Sequence, residues 1–214
     1  MFLEHLQPFQ VDPDRVTRQE VATLAAKISS NSRSSEIQGL LNQNISLCAY
    51  LLEQGYIEYH KIYFLSTDLI LSDVNRPDYI CGCYHEKTGI SWYAIVFAGS
   101  QEQTWNSDLQ LTTVAKKSFE RLNFCTANLA RVLVSNQLID KVEADCIHGL
   151  LIIGQDQEFF DNPKKQIRKR DINRNSSVKL RTYGSFLRKL NKLKNIDWLT
   201  TPIGDLLTRF KKSD

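Results

Sequence analysis

The apolar segment 91–98, SWYAIVFA, constrains the fold of this chain more than any other part of the sequence. From Tyr93 to Ala98 it offers six consecutive apolar residues. A strand with one solvated face alternates polar and apolar side chains, whereas a continuous apolar run indicates a strand that is covered on both faces. The segment therefore predicts the central strand of a sheet with helices packed on either side.

Helical periodicity surrounds this segment in the sequence. Apolar residues recur at spacings of three and four, which is typical of helices that bury one face. The predicted helices cover 16–29, 35–54, 107–137 and 185–195, and the basic stretch 163–175 is expected to be a helix with a loop. In the second of these, Ser34 or Ser35 is expected to cap the N-terminus, Glu36 to lie in the first turn and Gly55 to end the helix.

Shorter segments rich in β-branched and aromatic residues predict the remaining strands. They cover 58–65, 69–71, 78–85, 147–153 and 178–183, with a hairpin turn at 86–89. The fold class is therefore α/β, with a mixed central sheet flanked by helices. We expect an N-terminal helical segment with a Ser-rich loop over 1–34, a main domain over 35–195, and a basic tail over 196–214.

Charge is distributed unevenly along the 214 residues, although the net charge is only +3. Residues 1–162 carry 12 basic and 20 acidic side chains, whereas residues 163–214 carry 15 and 4. Such asymmetry indicates an electrostatic partner, usually nucleic acid or another anionic surface. The alternative, from charge alone, is a solvated basic tail.

Composition excludes several classes of protein. With 42% hydrophobic and 10% aromatic residues the chain is not intrinsically disordered, and no apolar run approaches the ~20 residues that span a bilayer. The N-terminus lacks the basic start and apolar core of a secretory signal. Five scattered cysteines fit a reducing compartment, so we expect a cytoplasmic protein with no membrane partner.

Motifs for covalent or nucleotide chemistry are weak. Cys81, Cys83 and His85 would share one face of a strand and could ligate zinc, but the set is incomplete and buried thiols are the favoured interpretation. The segment around Ser100 lacks the paired glycines of a nucleophile elbow. The glycines at 82 and 99 stand alone, so no phosphate-binding loop is predicted.

The predicted elements follow a definite order: a helix bearing Glu36, a strand opening with Pro77-Asp78, a hairpin, an apolar strand and a long helix. This order resembles the core of PD-(D/E)XK nucleases. The resemblance implies that Asp78 and a (D/E)xK pair on the next strand hold a divalent metal through oxygen ligands. The lysine would orient the attacking water, and a helix glutamate would complete the metal shell.

Four short motifs extend the resemblance over about residues 34–192. They are EIQGLLNQN at 36–44, RPDYI at 76–80, GLLIIGQD at 149–156 and VKLRTYGSFL at 178–187. In this order they are similar to the motifs of Shedu-type anti-phage nucleases. That family implies a PD-(D/E)XK fold, nuclease activity and a role in antiviral defence.

The sequence departs from that family at the catalytic pair. Alignment places Phe97 at the expected glutamate and Gly99 at the expected lysine, and Gly184 replaces the acid of the family's Thr-Tyr-Asp motif. The residual candidates for catalysis are Asp78, Glu36 and a displaced Glu102, with Asp78 the one weak candidate for a metal ligand. The expected protein is a pseudonuclease without a cofactor.

A nuclease fold without chemistry can still bind DNA or RNA through its basic part. The residues expected to contact phosphates are Lys164, Lys165, Arg168, Lys169, Arg170, Arg174, Lys179, Arg181, Arg188 and Lys189. Trp198, Tyr183 and Phe186 are available for stacking, although the core is the expected place of the last two. The expected function is a nucleic-acid-binding or regulatory component of a phage-defence or mobile-element system.

Two alternatives remain open from the sequence. The first is an active Mg²⁺-dependent endonuclease with a rearranged site. The second is a protein-interaction module, in which the basic helix 185–195 docks on an acidic protein or the chain associates with a second copy of itself.

Overall fold

A computed structural model describes residues 15–57, 61–66, 76–85, 89–135 and 146–192. The described helices are Arg18–Ser29 (α1), Ser34–Gln43 (α2), Ile45–Gly55 (α3), Thr113–Ser135 (α4), Gln157–Phe160 (α5), Pro163–Asn175 (α6) and Gly184–Lys192 (α7). The described strands are Lys61–Ser66 (β1), Tyr79–His85 (β2), Gly89–Phe97 (β3), Ile147–Ile152 (β4) and Val178–Arg181 (β5). The α/β class and the flanked mixed sheet are confirmed.

The five strands form one sheet in the order β1-β2-β3-β4-β5, so β3 is the central strand, as the apolar segment predicts. Strands β1, β2 and β3 are antiparallel neighbours, which matches the predicted hairpin between β2 and β3. The pairs β3-β4 and β4-β5 are parallel. Parallel neighbours need long crossover connections, and these contain α4 before β4 and α5 and α6 before β5.

Strand β3 contributes to two hydrophobic cores, one on each face of the sheet. Ile95 and Phe97 pack in the core that contains residues of α1, α2, α3 and α7. Trp92, Ala94 and Val96 point to the opposite core, which contains the buried face of α4. The alternation of side chains along a strand explains why the whole segment is apolar.

The helix predicted over 35–54 is in fact two helices, so that prediction is wrong. Asn44 lies between α2 and α3 in an extended conformation and caps α3, since its side-chain oxygen accepts a hydrogen bond from the Leu47 N–H at 3.1 Å. Its amide nitrogen donates to Glu20 of α1 at 2.6 Å. Apolar spacing continues across the break, which is why periodicity alone does not reveal it. The end of α3 at Gly55 is confirmed.

Two helix starts also differ from the predictions. Arg33, not Ser34 or Ser35, occupies the N-cap position of α2, and it makes no side-chain capping bond. The helix expected from residue 107 begins at Thr113. The preceding segment is a loop in which Leu109 has a positive φ of 60° and Trp105 forms an isolated bridge with Leu111. The two leucines made the predicted helix too long, because they lie in this loop and not in α4.

Helices from both ends of the described chain meet in one core. The buried side chains Val21, Leu24 and Ile28 of α1 and Phe186 of α7 belong to the same cluster as the buried faces of α2 and α3. The described part of the N-terminal segment is therefore an integral part of this core. The predicted strand 69–71, Trp198 and the tail 196–214 lie outside the described residues. Among the described helices, none has the length and apolarity that crossing a bilayer requires.

Candidate functional site

Asp78 lies immediately before β2 and is held at the edge of the sheet. Its backbone N–H donates to the carbonyl of Ile95 at 2.8 Å. Its carboxylate accepts three hydrogen bonds: Oδ2 from the Phe97 N–H at 2.7 Å and from Gln38 Nε2 at 2.8 Å, and Oδ1 from Arg121 Nη2 at 2.6 Å. Both carboxylate oxygens are therefore engaged by groups of the protein itself.

Arg121 neutralises this carboxylate from helix α4. The side chain of Asp78 is 11% exposed and that of Arg121 is 30% exposed. Arg121 is also fixed by a bond from its Nε to the carbonyl of Arg76. Burial raises the pKa of Asp78, and the neighbouring Arg121 opposes that rise. The pair closes one wall of a small polar pocket of about 300 Å³ that Gln38, Asn42, Arg76, Pro77 and Tyr79 also line.

Phe97 fills the position where the resemblance expects a glutamate. Its side chain is 2% exposed. The ring meets Tyr79 edge-on at a centroid distance of 5.7 Å and stacks on Tyr183 at 6.4 Å. The Tyr183 hydroxyl donates to the Ala98 carbonyl at 2.8 Å. This position is thus part of an aromatic cluster in the core, where a carboxylate would lose its hydration without gaining a counterion.

Gly99 fills the position where the resemblance expects the lysine. A Cβ at this residue would lie 3.2 Å from the Ser32 carbonyl oxygen and 3.3 Å from the Ser34 nitrogen. The Ser100 N–H donates to the same Ser32 carbonyl at 3.0 Å, so the two loops are in direct contact. A side chain at this position would require the neighbouring backbone to shift by a few tenths of an ångström.

The other two residual carboxylates do not contact Asp78. Glu36 is exposed on α2, and Glu102 is half-buried in the loop after β3. Consecutive residues of a helix are rotated by about 100°, so Gln38 lies on the flank of the buried stripe opposite to Glu36. The α2 side chain that reaches Asp78 is therefore Gln38.

These residues do not fit a divalent metal of the nuclease type. Such a metal requires several oxygen ligands, whereas the groups around Asp78 are hydrogen-bond donors, one of them a cation. Within the described ranges, no three His, Cys, Asp or Glu side chains are grouped as a metal ion would need.

Cys81 and Cys83 are buried in the core on the α3 side of the sheet. The Cys83 thiol donates to the Ser91 carbonyl. Burial raises the pKa of both thiols, so they remain protonated and are poor metal ligands. The interpretation as buried thiols is confirmed, while the side chain of His85 lies outside the described residues.

A second site is formed by the basic residues of the C-terminal part. A cleft of about 680 Å³ opens between α5, α6, β5 and α7. Five of the residues predicted to contact phosphates line it together: Lys169, Arg170, Arg174, Arg181 and Arg188. The structure thus places cations that are up to 19 residues apart in sequence around one concave surface.

The remaining predicted cations are placed differently. Lys164 and Arg168 are exposed on α6, and Lys189 is half-buried on α7. None of these three is among the residues lining the cleft.

Two of the predicted cations are used within the fold. The ammonium group of Lys165 forms an ion pair with Glu158 at 3.1 Å and donates to the Trp105 carbonyl at 2.8 Å. That of Lys179 donates to the carbonyl of Asn173 at 2.6 Å, near the C-terminus of α6. Both ammonium groups therefore have partners within the protein.

Asp156 takes the space that a side chain at position 184 would fill. A Cβ added to Gly184 would overlap the carboxylate of Asp156. That carboxylate accepts a hydrogen bond from Thr182 and forms an ion pair with Arg188. A carboxylate is thus present beside the Thr-Tyr segment although Gly184 itself carries none.

Four residues of these sites are missed by the sequence analysis: Arg121, Gln38, Asp156 and Phe160. For Gln38 a signal exists, because helical geometry puts it on the same flank of α2 as Asn42. Arg121 lies 43 residues from Asp78 in the chain, and no spacing rule relates them. Asp156 and the exposed Phe160 belong to a segment whose short helix α5 is not predicted.

Compared with models of known protein families and with curated proteins, the chain matches none of them.

Proposed function

We propose that this chain is a catalytically degenerate nuclease-fold protein that binds nucleic acid without cutting it. It would act as a nucleic-acid-binding or regulatory component of a phage-defence or mobile-element system. The observation that carries the proposal is the state of Asp78: its carboxylate is satisfied by Arg121, Gln38 and the Phe97 N–H, where an active nuclease of this kind would hold a metal.

The topology supports a PD-(D/E)XK-like core. The order along the chain is helices, three antiparallel strands, a 23-residue crossover helix and a parallel strand. Asp78 lies at the start of the second strand and Phe97 at the end of the third, side by side, as the resemblance requires of the metal-binding positions. The replaced residues are thus at the proposed catalytic edge of the sheet.

The cleft supports nucleic acid as the ligand. Five cationic side chains line it, and the acidic side chain among the lining residues, Asp156, is paired with Arg188. Phosphate groups are the anions that such a concentration of lysine and arginine binds without regard to sequence. The cytoplasm is the proposed location, since all five cysteines are free thiols.

The proposal is tested by incubating supercoiled plasmid and a folded RNA with the wild-type chain and with Asp78→Ala, in Mg²⁺ and in Mn²⁺. We expect neither protein to cleave either substrate, and we expect both to retard labelled nucleic acid in a gel at low salt. Asp78→Ala serves as the control for contaminating nucleases.

Metal-dependent cleavage by the wild type that disappears in Asp78→Ala would overturn the pseudonuclease proposal and favour a rearranged endonuclease site. Failure of the wild type to bind DNA or RNA even at low salt would overturn nucleic-acid binding and favour the protein-interaction alternative.

A further inference from the structure

Two exposed apolar side chains lie among the cations of the cleft. Phe160, on α5, is 66% exposed, and Ile167, on α6, is 49% exposed. Both line the cleft. The neighbouring Phe159 is buried in the core, so α5 is already anchored without Phe160. Leaving the Phe160 ring in water is unfavourable, and the packing of this ring in the described structure does not offset that cost.

Lys169, one of the cations that line the cleft, lies close to the buried Phe159 ring and is influenced by a second cation. Lys169 Nζ lies 4.2 Å from the centroid of the Phe159 ring. Burial, and then the neighbouring Arg181, lower the pKa of Lys169 to about 8, while Glu158 acts in the opposite direction. A half-buried ammonium group beside a guanidinium favours the arrival of an anion, which would offset the repulsion between the two.

The combination of a cationic concave surface with an exposed aromatic ring is typical of sites for single-stranded nucleic acid. Such sites track the backbone with positive charges and stack bases on aromatic side chains. In a duplex the bases are paired and stacked on one another, so a side chain outside the helix does not reach a base face. The cleft volume of about 680 Å³ falls within the range of pockets that enclose small ligands, about 300–1,000 Å³.

We infer that the cleft binds a single-stranded segment of nucleic acid, with a phosphate held by Lys169, Arg181 and Arg188 and with a base stacked on Phe160. This inference rests on the proposed nucleic-acid binding and specifies its substrate class. Arg188 keeps Asp156 as a partner in the free protein, so the phosphate shares this guanidinium with that carboxylate.

The test compares Phe160→Ala with Phe124→Ala in fluorescence anisotropy titrations of the full chain. The ligands are a labelled oligothymidylate of about 12 nucleotides and a labelled duplex of the same length. Phe124 is the matched control, because its ring is 39% exposed on α4 and does not line the cleft. Both variants truncate an exposed ring, so their effects on folding are comparable.

We expect Phe160→Ala to weaken binding of the single strand by about tenfold, which corresponds to the loss of one stacked base. Binding of the duplex should be unchanged in Phe160→Ala, and Phe124→Ala should bind both ligands like the wild type. As a second measurement, thymidine monophosphate should displace the oligonucleotide at a lower concentration than inorganic phosphate does.

Equal affinities of the wild type and Phe160→Ala for the single strand would overturn this inference and leave the proposed function standing. Displacement by inorganic phosphate as effective as by thymidine monophosphate would likewise overturn base stacking. Failure of the wild type to bind either ligand would overturn both proposals.

Discussion

At the scale of single residues, the contact between Arg121 and Asp78 determines which groups the carboxylate of Asp78 can bind. The guanidinium provides positive charge where the nuclease resemblance expects a metal ion, but it offers no open coordination position for a water or a phosphate. The same contact holds helix α4 against the start of β2.

Replacing Arg121 by methionine should destabilise the fold by about 1–3 kcal/mol, since the buried carboxyl of Asp78 would lose its ionic partner. The free energy of unfolding is measured by urea titration. Arg131→Met is the control, because Arg131 is exposed on the same helix, and its effect should stay within about 0.5 kcal/mol.

The double variant Asp78→Asn with Arg121→Met should recover part of the lost stability, because no unpaired charge remains in it. A double variant as unstable as the sum of its parts would show that the charge interaction is not the cause.

Lys169 should make nucleic-acid binding depend on pH. Its pKa is lowered to about 8, chiefly by burial, so the side chain is charged below that pH and loses its charge as the pH rises through it. Binding of the oligothymidylate should therefore weaken from about pH 7 to about pH 9. Lys169→Arg keeps its charge throughout this range and should show a flatter profile, and identical profiles would contradict the assignment.

At the scale of elements, the break between α2 and α3 positions the side chains around Asp78. Asn44 ends the first helix and begins the second, and α2 is thereby oriented so that Gln38 and Asn42 line the polar pocket. The Tyr79 hydroxyl donates to Asn42, which connects α2 to β2 at the same place.

Substituting Asn44 by alanine should lower stability by about 1 kcal/mol, because the N-cap of α3 is lost. Asn44→Ser restores a capping oxygen but not the bond to Glu20, so it should be more stable than Asn44→Ala in thermal unfolding. Equal midpoints for the two variants would show that the bond to Glu20, and not the cap, carries the effect.

At the scale of the whole molecule, the described residues of the acidic first part and of the basic last part share one folded core. Helices α1, α2, α3 and α7 share a core on one face of the sheet, and the cationic cleft lies beside β5 at the end of that sheet. Nucleic acid should therefore contact one side of the protein, and the acidic first part should repel it elsewhere.

This geometry predicts a limited salt dependence. If three or four phosphates are contacted, the logarithm of the association constant for the single strand should fall with the logarithm of salt concentration with a slope of roughly −2 to −3. Arg181→Gln should reduce the slope by about one contact. Lys117→Gln, an exposed lysine on α4, is the charge-matched control and should leave the slope unchanged.

Much of the fold follows from local patterns in the sequence. The central strand, the α/β class, the C-terminal ends of α1 and α3 and the helix within 163–175 are confirmed, although that helix runs through Asn175 without the predicted loop. Periodicity and glycine placement indicate these features because they act within a few residues. The start of α4 is predicted six residues too early, because the apolar pattern was extended to Leu109 and Leu111, which lie in a loop whose backbone at Leu109 is left-handed.

The sequence by itself determined that Phe97 and Gly99 stand where the nuclease resemblance expects a glutamate and a lysine, and that positive charge is concentrated after residue 162. Only the tertiary structure decided that Arg121 takes the carboxylate of Asp78, that Asp156 fills the space beside Gly184, and that five of the predicted cations surround one cleft with Phe160. The physical reason is that ion pairs and clefts depend on distances between residues that are remote along the chain, whereas sequence patterns report only the preferences of neighbouring residues.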